Sequence, residues 1–136
     1  MPVLILDSGA VTHLAQQREQ SLADIEELKR QRLWPPIVPT IVLAECISGR
    51  QDTDALVYKF LKMCETQDAL PRKIAQRAGD LRTRAKAGSV VDAVLVAMAE
   101  PGTTILTADL KDLDRLAIHA QQVTIRSLHP RRRRNP

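Results

Sequence analysis

Aromatic side chains are scarce: Trp34, Tyr58 and Phe60 are the full set, 2% of 136 residues. That leaves no platform on which successive bases could stack, as RRM- and OB-type single-strand binders require. The core must be built from Leu, Ile, Val and Ala. Only two cysteines occur, Cys46 and Cys64, with no nearby Cys or His partner, so they read as buried thiols in a reducing compartment. His13, His119 and His129 are scattered without HxxxH or HxH spacing, which argues against a histidine metal site. No G-x-S-x-G elbow, P-loop or G-x-G-x-x-G is present. No apolar run approaches the roughly 18 to 20 residues of a membrane span. The start Met1-Pro2-Val3 lacks a charged n-region and a long h-region, so the cytoplasm is the expected compartment.

Charge of one sign is also missing from most of the chain. There are 20 basic and 16 acidic side chains, and Arg131, Arg132, Arg133 and Arg134 account for the whole excess. The body is neutral. Residues 1–130 read as one domain, large enough to bury a core, and 131–136 as a basic, disordered C-terminal tail bounded by Pro130 and Pro136. The tail is either a solubilising segment or an arm that attracts a polyanion by counterion release.

What is present is a set of carboxylates in apolar surroundings. Asp7 ends Val3-Leu4-Ile5-Leu6, and Glu45 is embedded in Ile41-Val42-Leu43-Ala44. Asp92 opens Ala93-Val94-Leu95-Val96-Ala97-Met98-Ala99, and Asp109 follows Thr104-Ile105-Leu106-Thr107-Ala108. An unpaired buried charge loses its hydration, so such groups neutralise, pair or bind a cation. None of these segments contains a basic residue, which points to a divalent-cation site of oxygen ligands.

Strand and helix signals alternate. Val3 to Leu6 has the length and continuous apolar character of a strand buried on both faces. Ser8 and Gly9 are expected to turn the chain into a helix over 10–17. Ser21 with Asp24 resembles a capping box for a second helix, with Leu22, Ile25 and Leu28 inward and Pro35-Pro36 beyond its end. Ile37-Val38 makes a second strand. Thr40 is a plausible N-cap for a helix reaching Gly49. Further helices are expected over 53–65, 71–86 and 92–100, the last of them nearly all apolar and stopped by Pro101-Gly102. A strand at 103–106, a short helix at about 110–117 and a strand at 123–125 complete the pattern. Strands separated by helices imply an α/β sandwich around a parallel sheet, whose ligands gather at the carboxyl ends of the strands. Asp7 and Asp109 both fall at that edge.

Carboxylates within about 5 Å of each other repel by roughly 3 kcal/mol per pair at an effective dielectric near 20. Mg2+ suits such a group because it takes one or two carboxylates plus waters and phosphate oxygens; Mn2+ has similar preferences. Two such ions support in-line phosphoryl displacement by an activated water. Each acid also has a purely structural reading. Asp7, Asp92 and Asp109 could cap the helices that follow them, and Glu45 could sit on a solvated face. The conjunction of four is what favours the site. Asp112 and Asp114 read first as a solvated first turn that suits the helix dipole. Trp34 beside Pro35-Pro36 reads as a local staple, with a partner-binding anchor as the alternative.

The chain resembles the PIN-domain ribonucleases and, within them, the VapC-type toxins of bacterial toxin–antitoxin pairs. The resemblance spans residues 3 to 126. It rests on Leu4-Ile5-Leu6-Asp7-Ser8-Gly9-Ala10, Leu43-Ala44-Glu45, Val91-Asp92-Ala93-Val94-Leu95-Val96-Ala97-Met98-Ala99 and Thr104-Ile105-Leu106-Thr107-Ala108-Asp109. It implies a PIN-like three-layer α/β/α sandwich with a central, mainly parallel sheet. It also implies an endoribonuclease dependent on Mg2+ or Mn2+, one or two ions per site, acting on structured or single-stranded RNA such as tRNA or rRNA. Asp7, Glu45, Asp92 and Asp109 would be the catalytic metal ligands, with Ser8 and Thr107 in support and Asp112 as a substitute for Asp109. The partners implied are a second copy of the chain and a VapB-type antitoxin whose C-terminal segment plugs the acidic groove, where its Arg or Lys can take the metal's position.

A neutral body with an acidic cleft must still hold RNA. Arg72, Lys73, Arg77, Arg82, Arg84 and Lys86 could form a phosphate-tracking rim; the other reading is a solvated helix face. Two further functions compete. A catalytically silent PIN-like RNA- or partner-binding protein would have lost one or more of the acids, yet all four are present. A haloacid-dehalogenase-like phosphohydrolase needs a second Asp two residues after the first, and position 9 is Gly.

Overall fold

The computed structural model describes residues 3–128, and the Arg131–Arg134 tail lies outside them. Among these residues five strands form one sheet in the order β3-β2-β1-β4-β5, every pairing parallel. The strands are β1 (Leu4–Leu6), β2 (Ile37–Pro39), β3 (Glu65–Gln67), β4 (Thr104–Thr107) and β5 (Thr124–Ser127). β1 is central and wholly buried, as its continuous apolar run requires in a sheet covered on both faces. Leu4, Ile5 and Leu6 align with Thr104, Ile105 and Leu106, so Asp7 and Thr107 leave neighbouring strands at the same level.

Among the described residues, seven helices cover the sheet: α1 (Ser8–Ala15), α2 (Glu19–Arg30), α3 (Thr40–Cys46), α4 (Gln51–Leu61), α5 (Arg72–Ala85), α6 (Val90–Ala99) and α7 (Lys111–Ala117). α1 packs against α2, α3 and α4, while α5, α6 and α7 pack on one another. The chain steps from β1 to β2 and β3, then returns past β1 to β4 and β5. Right-handed crossovers in opposite directions place their helices on opposite faces, which yields three layers. They also open a crevice between the carboxyl ends of β1 and β4, where the direction of winding changes. The core is aliphatic, with Leu6, Val38, Leu81, Leu95, Val96, Ile105 and Leu116 at most 1% exposed. Trp34 packs edge-on against Phe60, ring centroids 6.2 Å apart, and Lys29 lies over its ring, which is the local-staple reading.

Several boundaries differ from the sequence expectations. Ser8 and Gly9 are not a turn; they are the first turn of α1, because Asp7 caps the helix directly. α2 begins at Glu19, so Ser21 and Asp24 are not a capping box. The buried Ser21 hydroxyl donates to the His13 carbonyl at 2.8 Å, and Asp24 lies 2.7 Å from His13 Nε2. Leu22 is 53% exposed rather than inward. Thr40 is the first residue of α3 rather than its cap, and α3 ends at Cys46, short of Gly49. α4 stops at Leu61, and Glu65, expected to end that helix, instead begins β3, a strand that the sequence pattern does not announce. Among the described residues, no helix is long and apolar enough to cross a membrane.

Candidate metal centre

Asp7 is the residue after β1 and the N-cap of α1. The Ala10 N–H donates to its Oδ1 at 2.8 Å, and the buried Thr107 hydroxyl donates to its Oδ2. Thr107 in turn accepts from the Asp109 N–H at 2.9 Å, tying the end of β4 to the end of β1. Asp92 is the third residue of α6. Its N–H donates to the Ser89 hydroxyl at 3.0 Å, and its Oδ2 accepts from the Ser89 N–H at 3.4 Å, a reciprocal capping box. Asp109 Oδ1 accepts from the Lys111 N–H at 3.1 Å. The capping interactions that could have explained these acids singly are therefore real. They also fix where the carboxylates stand.

One cleft of about 240 Å³ takes its walls from all of these elements. Asp7, Glu45, Asp92, Asp109 and Asp112 line it, together with Ser8 and Ser89 and the backbone around Gly9 and Ala108; among the described residues no Lys, Arg or His does. Only Asp7 among the acids is buried. Asp92 and Asp112 are half-buried, and Glu45 and Asp109 are exposed at the rim. The Asp7 pKa is raised from the usual carboxylate value, chiefly by burial and further by the charges of Asp92 and Glu45, against the opposing bonds from Thr107 and Ala10. The Asp92 pKa is raised by burial first, with Asp112 and Asp109 adding to it against the bonds from Ser89. Cys46, behind the cleft with its Sγ 3.8 Å from the Ser8 carbonyl, has its pKa pushed up to about 11 by burial and by Glu45 and Asp7. It stays a neutral thiol at physiological pH.

The donor set is therefore entirely hard oxygen, converging on one opening with no cation to neutralise it. That chemistry fits Mg2+ or Mn2+. The side chains as they stand are spread rather than closed: among the described residues, no group of three or more His, Cys, Asp or Glu is arranged to hold a metal ion. Mutual repulsion and the hydrogen bonds to each acid's own helix or loop account for the spread. Mg2+ keeps several waters and needs only one or two carboxylates, so the open arrangement remains compatible with it.

Two further residues shape the cleft, Gly9 and Ser89. Gly9 matters because a Cβ there would come 3.0 Å from the Ala108 Cβ, so a small residue lets the β4 loop close over α1. Ser89 positions Asp92. Its Ser-x-x-Asp spacing was a readable cap signal, masked by taking Asp92 itself as the start of the helix.

No protein-family model matches the sequence, and no curated protein matches it. Solved structures do match in shape. PAE2754 from Pyrobaculum aerophilum is 14% identical, with a TM-score of 0.61 over 91% of this chain and 89% of that one. FitAcB from Neisseria gonorrhoeae is 13% identical, with a TM-score of 0.57 over 90% and 96%. The fold is PIN-like.

The candidate phosphate-tracking residues of this PIN-like chain separate into three groups. Arg77 is structural: its Nε and Nη2 grip Glu100 at 2.8 and 2.9 Å, its Nη1 donates to Asp80 at 2.7 Å, and Nη2 also reaches the His119 carbonyl. Its role is to tie α5 to the ends of α6 and α7, and four of its five N–H donors are taken up in doing so. Arg84 pairs with Asp80 at 3.2 Å. Arg72 and Lys73 are exposed in the first turn of α5, roughly 15 Å along the helix from Arg82. Arg82 and Lys86, by contrast, line an open groove next to the acidic cleft.

Proposed function

We propose that the chain is a metal-dependent endoribonuclease, hydrolysing RNA phosphodiester bonds as the VapC-type toxin of a type II toxin–antitoxin pair. The observation that carries this reading is the meeting of Asp7, Glu45, Asp92 and Asp109, from four separate segments, in one cleft that no basic side chain lines among the described residues. Asp7 and Asp92 would hold the cation, with Glu45 and Asp109 completing the site from its rim and Asp112 able to stand in for Asp109. When bound, one or two Mg2+ or Mn2+ ions supply a water of lowered pKa and offset the charge that builds on the leaving oxygen.

The protein's own residues do the positioning. Thr107 and the Ala10 N–H hold both oxygens of Asp7, which fixes its rotamer. The Ser89 N–H holds Oδ2 of Asp92, while the Ser89 hydroxyl accepts from the Asp92 N–H. Burial raises the affinity of both carboxylates for a counter-charge, because their hydration is already partly lost. The same electrostatics suit an Arg or Lys of a VapB-type antitoxin as an occupant of the cleft, and a second copy of the chain as a partner in the assembly.

A second reading, a catalytically silent PIN-like RNA- or partner-binding protein, draws on the absence of an assembled three-ligand group among the described residues. Incubation of the purified chain with total RNA separates the two. The nuclease reading expects discrete fragments with Mg2+ or Mn2+, none in EDTA, and none from Asp92→Asn. Intact RNA under all conditions leaves the silent reading.

A further inference from the structure

We infer that the groove beside the acidic cleft, lined by Gly79, Arg82, Thr83, Lys86, Ala87 and Gly88, is a phosphate-tracking subsite for a single-stranded nucleic-acid backbone next to the bond that is cut. The inference rests on the nuclease reading for its position relative to the cut, and on its own geometry for the binding. The groove is larger than the cleft, about 520 Å³ against about 240 Å³. The two share a wall: Gly88 lines the groove and Ser89 lines the cleft, so one strand can pass from one to the other across a single peptide unit.

The groove's charge is opposite to the cleft's. Among the described residues its only ionisable side chains are Arg82 and Lys86, both exposed. Arg82 donates through Nε to the Gly88 carbonyl at 3.4 Å, and its two terminal nitrogens have no partner among the described residues. Lys86 has no ion-pair partner among them either. This is what sets the pair apart from Arg77 and Arg84, whose charges are held by Asp80 and Glu100.

The groove floor is fixed rather than pliable. Lys86 ends α5 in the left-handed conformation, φ 49, and its N–H donates to the Arg82 carbonyl at 2.9 Å. Gly88 has φ +87, and a Cβ there would lie 2.6 Å from Leu116 Cδ1, so the loop is seated against α7 at a position only glycine fills. The two cations are presented four residues apart on one helix face. With no aromatic side chain in the groove, recognition there is by phosphate charge rather than base stacking.

The test is binding of a short single-stranded RNA in EDTA, so that no cleavage is needed, at several salt concentrations. Each phosphate contact on a single strand contributes about 0.7 to the slope of log K against log salt. Arg82→Gln/Lys86→Gln should therefore flatten the slope by about 1.4. Gly79→Glu, which puts a negative charge in the groove where an added Cβ meets nothing within 4 Å, should weaken binding without unfolding α5. Arg84→Gln is the matched control on the same helix and should leave the slope as in the parent. A DNA strand of the same sequence should show the same flattening, since the phosphates are shared. An unchanged slope in the double variant, a fall as large in Arg84→Gln, or no binding by the parent would overturn the subsite. Parent binding with the predicted slopes but no cleavage in Mn2+ would leave the subsite standing and remove the nuclease reading instead.

Discussion

Asp7 does three things at once: it caps α1, anchors Thr107 and contributes the most buried charge in the cleft. Its folded-state pKa lies above the ordinary value, so the folded chain holds this proton more tightly than the unfolded chain does. Stability linked to Asp7 is thus present below the ordinary pKa and lost as pH rises through the raised one. At neutral pH the charge costs stability. Asp7→Asn keeps an equally good N-cap, and the Thr107 hydroxyl can turn its proton to the Asp109 carbonyl, 2.9 Å away. The metal-free variant should melt above the parent at neutral pH, with the difference shrinking toward about pH 4. A variant that melts lower throughout would show that the hydrogen bonds outweigh the charge. Thr107→Val carries the opposite expectation. It removes the donor to Asp7 and the acceptor for the Asp109 N–H inside a fully buried site, at about 1–3 kcal/mol in chemical denaturation. If the nuclease reading holds, it should also lower metal affinity or activity about 10- to 100-fold.

Elements place these residues, and α6 is the clearest case. Its body is almost wholly buried, so its N-terminus must be satisfied by its own side chains, and Ser89 with Asp92 does so. Ser89→Ala should cost about 1 kcal/mol in denaturant midpoint analysis, because it removes the acceptor of the Asp92 N–H. Equal midpoints for the two chains would remove Ser89 from the account. The sequence read most truly where burial was continuous: β1, β4 and α6 announce themselves as apolar runs, and the acids at their ends fall in the cleft. It read poorly where the controlling interaction is long-range or polar. β3 is a fully exposed edge strand, Glu65-Thr66-Gln67, held by backbone pairing to β2, so no apolar pattern marks it. α2 starts two residues before Ser21 because Ser21 bonds to His13 in the preceding helix, a partner that local spacing does not reveal. The sequence places Glu45 within the apolar run Ile41-Val42-Leu43-Ala44, yet of these only Val42 is buried and Glu45 sits at the rim. Its membership of the cleft followed from the right residue for an incomplete reason.

At the scale of the whole molecule, an acidic cleft and a basic groove stand side by side. The acidic cleft lies at the carboxyl ends of β1 and β4, and the basic groove beside it lies at the C-terminal end of α5. Among the candidate cations, Arg77 serves the fold and Arg82 with Lys86 faces solvent, a division that composition could not make because it depends on where Glu100 and Asp80 come to rest. The acids of the cleft repel one another without a counter-charge, so a divalent ion that binds only the folded chain stabilises it by RT ln(1 + [L]/Kd), about 2.7 kcal/mol at a hundredfold excess.

The central claim is that these carboxylates form a divalent-cation site. Calorimetric titration of the chain with Mn2+, in parallel with the Asp7→Asn/Asp92→Asn variant, tests it without reference to any RNA. The account predicts saturable binding of one or two ions by the parent and none by the variant. No binding by the parent, or equal binding by both chains, would contradict it.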